Sequence, residues 1–156
     1  MDAFMPEAVL PSEVVEWLQS DRLVVLASAS AAGEPASHVV SWVLAVDPQT
    51  VRIAVRHAAL AVEHVRATGR LAIEVVGDGF AVGARGSATI VREHMVSAPQ
   101  GNAMIELRIE EVVNHLPRGM ALHGPSWDVP VERASEAAER MAAIYAELRE
   151  GAAASA

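Results

Sequence analysis

Thr50-Val51-Arg52-Ile53-Ala54-Val55-Arg56-His57 is the stretch on which the fold of this chain turns. Val51, Ile53 and Val55 alternate with Arg52, Ala54 and Arg56, which is the period of a β-strand with one apolar face. The two arginines share the other face, about 13 Å apart at four residues of strand rise. Ala58–Thr68 follows at once as an Ala-rich helical stretch, with Leu60, Ala61, Val65 and Thr68 on one side and Gly69 suited to end it. A strand that runs straight into a helix brings unpaired backbone N–H groups and a positive dipole end to the junction. Arg56 and His57 flank that helix start, so the junction is suited to an anion. The alternative reading is two solvated polar residues at an ordinary helix start.

Outward from this point the pattern is mostly strand. Upstream, Pro11-Ser12 opens a short helix through Leu18, with Ser12 as the expected N-cap and acids in the first turn. Leu23–Ala27 is a short apolar strand, and Ala31-Ala32-Gly33-Glu34-Pro35 is the turn of a hairpin. Its second arm, Ser37–Val46, is apolar almost throughout and reads as one strand covered on both faces, as in a barrel or at a dimer interface. Downstream, Arg70–Val76, Phe80–Arg92 and Met104–Val113 are three further strands, the first two joined by the Gly77-Asp78-Gly79 turn. Hairpin-length connections make the sheet antiparallel. Six strands with few edges to protect point to a barrel. Leu116–Pro130 is a loop, and residues 131–150 form a terminal helix with Ala134, Ala137, Ala138, Met141, Tyr145 and Leu148 on its packed face. The expectation is one mainly-β domain over residues 1–156.

Composition narrows the function classes. The 156 residues carry a net charge of −8, and all 12 basic residues are Arg. Without a basic cluster, nucleic acid is not an expected partner. The absence of Cys removes disulfides, thiol nucleophiles and Cys-ligated metals. No run approaches the roughly 18 apolar residues of a membrane span, and the start lacks a basic, apolar leader pattern. A cytoplasmic protein without membrane contact is the expectation.

Six histidines stand at His38, His57, His64, His94, His115 and His123 without metal-ligand spacing, so no metal site is expected. Gly-x-Ser-x-Gly is absent, and Gly86-Ser87-Ala88 lies on a strand instead of a nucleophile elbow. No catalytic residue is assigned. Arg85 sits between Gly83 and Gly86, where small neighbours permit the close approach of a backbone or a planar ligand; a barrel kink explains the glycines equally well. Trp42 reads as core or as cofactor contact, and Trp127 as an anchor for the terminal helix or a ligand contact.

The order of elements resembles the split β-barrel of the pyridoxamine 5′-phosphate oxidase-like flavin-binding family. Leu23–Ser28 with Gly33-Glu34-Pro35 is similar to its opening strand and Gly-x-Pro turn, Val51–Arg56 to its third strand, and Val62–Ala72 to its helix exit into the fourth strand. Val82–Val91, centred on Gly86-Ser87-Ala88, resembles its Gly-x-Ala strand. The resemblance runs from about Pro11 to His115.

It implies a six-stranded split barrel, a homodimer, and flavin mononucleotide (FMN) in a cleft between subunits. It also implies that the flavin phosphate lies at the β-strand to helix junction singled out above. The family pattern places a Ser, and two residues later a Lys or Arg, in the helix's first turn; here those positions hold Ala59 and Ala61. The phosphate would fall to Arg56, His57, the N–H groups from Ala58 onward and Arg66, and each charge-assisted bond contributes roughly 1.5–3 kcal/mol. Arg52 has its place on the same face as Arg56, Ser41-Trp42 lies on a strand reaching the dimer cleft, and Arg85 lies on a later strand. Trp127 falls in a late segment that, by the resemblance, reaches the partner's flavin. Some members of this fold hold a deazaflavin or haem, for which His115 or His123 is the axial candidate. An FMN-binding oxidoreductase acting on a small molecule is the leading reading, against a flavin-free split barrel that binds a small ligand or a partner.

Overall fold

Strand β4 (Thr50–Arg56) has both faces covered, and the rest of the fold is arranged around it. The computed structural model describes residues 8–98, 101–125 and 129–152. The other strands are β1 (Val24–Ala29), β2 (Pro35–Val40), β3 (Val43–Asp47), β5 (Arg70–Gly77), β6 (Phe80–Arg92) and β7 (Asn102–Asn114). All pair antiparallel in one curled, half-barrel sheet of order β2-β1-β5-β6-β7-β4-β3. Among the described residues three α-helices accompany it: α1 (Ser12–Trp17), α2 (Leu60–Thr68) and α3 (Ala134–Glu150) near the C-terminus.

The sheet has seven strands where the sequence pattern predicts six. Residues 37–46 are not one strand: β2 pairs with β1 through Val24↔Val40, whereas β3 pairs with β4 through Val43↔Ile53. The chain leaves one edge of the sheet at Val40 and joins the opposite edge at Val43, with Ser41-Trp42 spanning the gap. An unbroken apolar run does not register that change of partner. The expected cover on both faces holds for β3, where Val43, Leu44 and Ala45 are all buried, and fails for β2, which alternates between exposed and half-buried residues.

One core lies inside the curl. Val51, Ile53 and Val55 of β4 meet Leu26, Ile73, Ile105 and Leu107 from the other strands, with Val14 of α1 and Ala61, Val62 and Val65 of α2 closing it. A second core lies on the outer face, where Leu44, Ala54 and Met104 pack against Ile144, Tyr145 and Leu148 of α3. Ile144 and Leu148 are fully buried, and such burial contributes roughly 1.5–3 kcal/mol per side chain.

Several local expectations shift. Pro11, not Ser12, stands at the N-cap of α1. Helix α2 begins at Leu60, with Ala59 extended before it, and Gly69 ends it in the left-handed region at φ 65°. Residues 131–133 form a 3₁₀ turn ahead of α3. Only the second half of α3 is packed, so Ala134 and Ala138 are exposed and Ile144 takes their place in the contact. Strands β3 and β4 underlie that half alone, and helical periodicity carries no information about where the supporting sheet ends.

Candidate functional site

The junction between β4 and α2 is a tight turn. Arg56 pairs with Asn102 of β7, His57 N–H donates to Gly101 O at 3.0 Å, and Ala59 N–H donates to Arg56 O at 2.9 Å. No side chain caps α2, because Ala59 has no acceptor to offer. Of its first-turn N–H groups, Val62 N–H donates to Ala59 O at 3.0 Å, and those of Leu60 and Ala61 lack the partner that a capping side chain supplies.

Arg56 and His57 point to different surroundings. Arg56 is exposed and lines a cleft of about 170 Å³ with Val40, Ser41, Trp42, Ala54, Val55 and Asn102. Three of the residues selected from the sequence, Ser41, Trp42 and Arg56, are thus brought together. Six arginines lie on the strands, and Arg52, Arg70, Arg85, Arg92 and Arg108 each pair with a carboxylate. Among the described residues Arg56 has no such partner, which leaves its guanidinium available to an anion.

His57 joins a second group. Glu93, just past the end of β6, takes a two-pronged contact from Arg66, one prong at 2.6 Å, and its Oε2 lies 3.2 Å from His57 Nε2. The His57 ring stacks on His94, with centroids 4.7 Å apart. The Arg66 bond, opposed by desolvation and aided by His57, holds the Glu93 carboxyl down at about 2. The same bond raises Arg66. Glu93 is the residue the sequence reading missed; its only signal is the charged run Arg92-Glu93-His94 following a long strand.

The remaining candidates are dispersed. Arg52 lies under the C-terminus of α3, its Nε on Glu106 at 2.9 Å and its Nη1 donating to Leu148 O and Arg149 O at 3.0 Å. Arg85 pairs with Glu111 and lines a separate surface cleft of about 430 Å³ with Ser28, Arg70 and Ala72. Trp42 also walls a cleft of about 380 Å³ between Asp21 and the first turns of α3. Burial raises the Asp21 carboxyl there, against the pull of Ser41 and Arg22. Ala58 is exposed at the turn, and Ala61 is buried in the inner core, so packing fills that position. Trp127 lies outside the described residues. His115 is oriented by Glu74 at 2.7 Å, and His123 is exposed. Among the described residues no group of three metal-ligating side chains converges, and no helix is long and apolar enough to cross a membrane.

Known structures share this fold. A candidate pyridoxamine 5′-phosphate oxidase of Lactobacillus delbrueckii matches 70% of this chain and 99% of its own at 21% identity, with a TM-score of 0.58. An FMN-binding protein from Syntrophomonas wolfei matches 67% and 88% at 12% identity and TM-score 0.53. HutZ, the haem storage protein of Vibrio cholerae, matches 68% and 94% at 14% identity and TM-score 0.54. At such identities the likeness is one of fold. No curated protein matches the chain in sequence. The family profile described as pyridoxamine 5′-phosphate oxidase, however, matches residues 10–118, from α1 through the end of β7. By that match the chain belongs to the pyridoxamine 5′-phosphate oxidase family.

Proposed function

We propose that the β4–α2 junction binds the phosphate end of FMN and that the protein is a flavin-dependent oxidoreductase assembled as a homodimer. The observation that carries this reading is Arg56: alone among the strand arginines it has no carboxylate partner within the described residues, and it opens on a cleft walled by Trp42 beside an uncapped helix start. A guanidinium holds phosphate with two parallel bonds, and the uncapped N–H groups of Leu60 and Ala61 are further donors at the helix start that follows Arg56. Trp42 offers an aromatic wall to a planar ring. Bound FMN would supply the hydride and electron transfer, while the chain's own residues bind and orient it.

A single chain encloses too little of this cleft. Its 170 Å³ falls below the roughly 300–1,000 Å³ of small-molecule pockets, which favours completion by a second copy. Val39 on edge strand β2 is 66% exposed and stands opposite Val25, also exposed on β1. Such a bare apolar edge suits a partner surface.

A second reading has its own support: a flavin-free member that binds another small ligand. Ala59 and Ala61 remove two side-chain phosphate contacts, and Glu93 engages His57 and Arg66. An absorbance spectrum of the purified protein, repeated after FMN is added and the excess removed, separates the two. Retained visible flavin bands support the FMN reading; a flat spectrum in both states sinks it. Sedimentation velocity reports the dimer independently, since a species of one chain mass removes the shared cleft.

A further inference from the structure

We infer that Glu93 sets the charge selectivity of the β4–α2 junction by acting as a built-in anion that phosphate must displace. The inference rests on the reading of that junction as an anion site.

The geometry is that of an occupied anion clamp. Arg66 reaches both oxygens of Glu93 in the two-pronged manner by which guanidinium groups hold carboxylate and phosphate alike. His57 Nε2 approaches the same Oε2 at 3.2 Å and Arg66 Nη2 at 3.3 Å, so one carboxylate gathers Arg66 and His57. The His94 ring stacks on that of His57. The clamp is a surface feature: Arg66, His57 and Glu93 side chains are each about half exposed. An incoming anion therefore has access to it without unfolding any element. The Arg66 bond holds the Glu93 carboxyl down at about 2, so the clamp keeps its negative charge near neutral pH.

The consequence is a count of charges. With Glu93 engaged, the clamp has no cation to spare; without it, Arg66 and, when protonated, His57 are released. A dianionic phosphate monoester gains most from that release, and an uncharged ligand of the same shape gains nothing. Glu93 thus lowers the preference for FMN over its dephosphorylated form, riboflavin.

The test titrates native, Glu93→Gln and Glu93→Ala proteins with inorganic phosphate, FMN and riboflavin by calorimetry, with circular dichroism confirming the fold. Both variants are expected to bind phosphate and FMN roughly tenfold tighter than the native chain, with riboflavin unchanged. Equal phosphate affinity in the three proteins overturns the inference, and so does an equal gain for FMN and riboflavin. A gain for phosphate with no flavin bound by any of the proteins upholds the role of Glu93 and removes FMN as the ligand. The two variants differ in bulk and hydrogen bonding, so agreement between them isolates the charge.

Discussion

The carboxylate of Glu147 on α3 lies 2.8 Å from the Arg92 guanidinium at the end of β6, and both side chains are largely buried. Glu147 also accepts from Val96 N–H and Ser97 N–H, each at 2.7 Å, and from the Ser97 hydroxyl. One side chain therefore fastens α3 to the segment that follows β6. Burial raises the Glu147 carboxyl, but the bonds from Ser97, Val96 and Arg92 outweigh it and hold the group below its ordinary 4.5. A depressed folded value gives stability that is present above the unfolded value and is lost as pH falls through the folded one. Glu147→Ala is expected to cost roughly 3–5 kcal/mol near neutral pH, because Arg92 is left without its buried partner. Urea titrations at a series of acid pH values check this: the gap between native and variant should narrow below pH 4.5. A gap that does not change with pH would remove the carboxylate's charge as its cause.

Arg52 is expected to be a stabilising residue and not a ligand contact. Its donors are spent on Glu106 and on the last carbonyls of α3, which have no partner within the helix. Arg52→Gln should lower stability by roughly 1.5–3 kcal/mol, the range for hydrogen bonds to charged groups. It should leave FMN affinity within about twofold, a difference below 0.5 kcal/mol. Thermal melts beside FMN titrations decide the point; a large loss of affinity in a protein of unchanged stability would return Arg52 to the binding site.

Tyr145 is the only tyrosine of the chain, which makes its titration readable by absorbance alone. Its hydroxyl donates to Val43 O at 3.0 Å beneath α3. Burial, reinforced by Asp21, pushes the phenol well above its ordinary 10.0. The unfolded chain ionises first, so stability should fall as pH rises past 10.0. The alkaline spectrum should show tyrosinate appearing late and together with loss of helix signal. Tyrosinate forming near the ordinary value in a folded protein would mean that α3 does not cover the ring.

What the sequence disclosed and what it hid follow from what periodicity can encode. The alternation of Val51, Ile53 and Val55 placed β4 correctly because each of those side chains enters the inner core. Gly69 marked the end of α2 because a left-handed residue there is a local requirement. The division of residues 37–46 was hidden because both halves are apolar and only their partners differ. At the site, adjacency misled: Arg56 and His57 are neighbours in sequence, yet successive positions at a strand end face opposite ways. Glu93 was invisible because its meaning depends on a contact with Arg66, 27 residues away. At Gly86 the close approach of a backbone, one of the alternatives that the small neighbours of Arg85 permit, is realised. A Cβ there would lie 1.8 Å from Arg108 O, so the close approach of β6 to β7 at its bulge requires glycine.

The sharpest prediction concerns Arg56 itself. Its side chain is exposed, and no hydrogen bond or ion pair ties it to another described residue, so its removal should not disturb the fold. Exposed substitutions of this kind usually alter stability by no more than about 0.5 kcal/mol. If phosphate is held at the junction, Arg56→Ala removes the uncommitted guanidinium and with it one or two charge-assisted bonds. Loss of at least roughly tenfold in FMN affinity is then expected. Riboflavin, which lacks the phosphate, should bind the native and variant chains alike. Arg56→Lys keeps the charge but not the two-pronged geometry, and should fall between them. Flavin fluorescence titrations on the three proteins supply the numbers. Equal losses for FMN and riboflavin would mean that Arg56 shapes the cleft near Trp42 instead of holding phosphate, and unchanged affinity for both would place the flavin elsewhere.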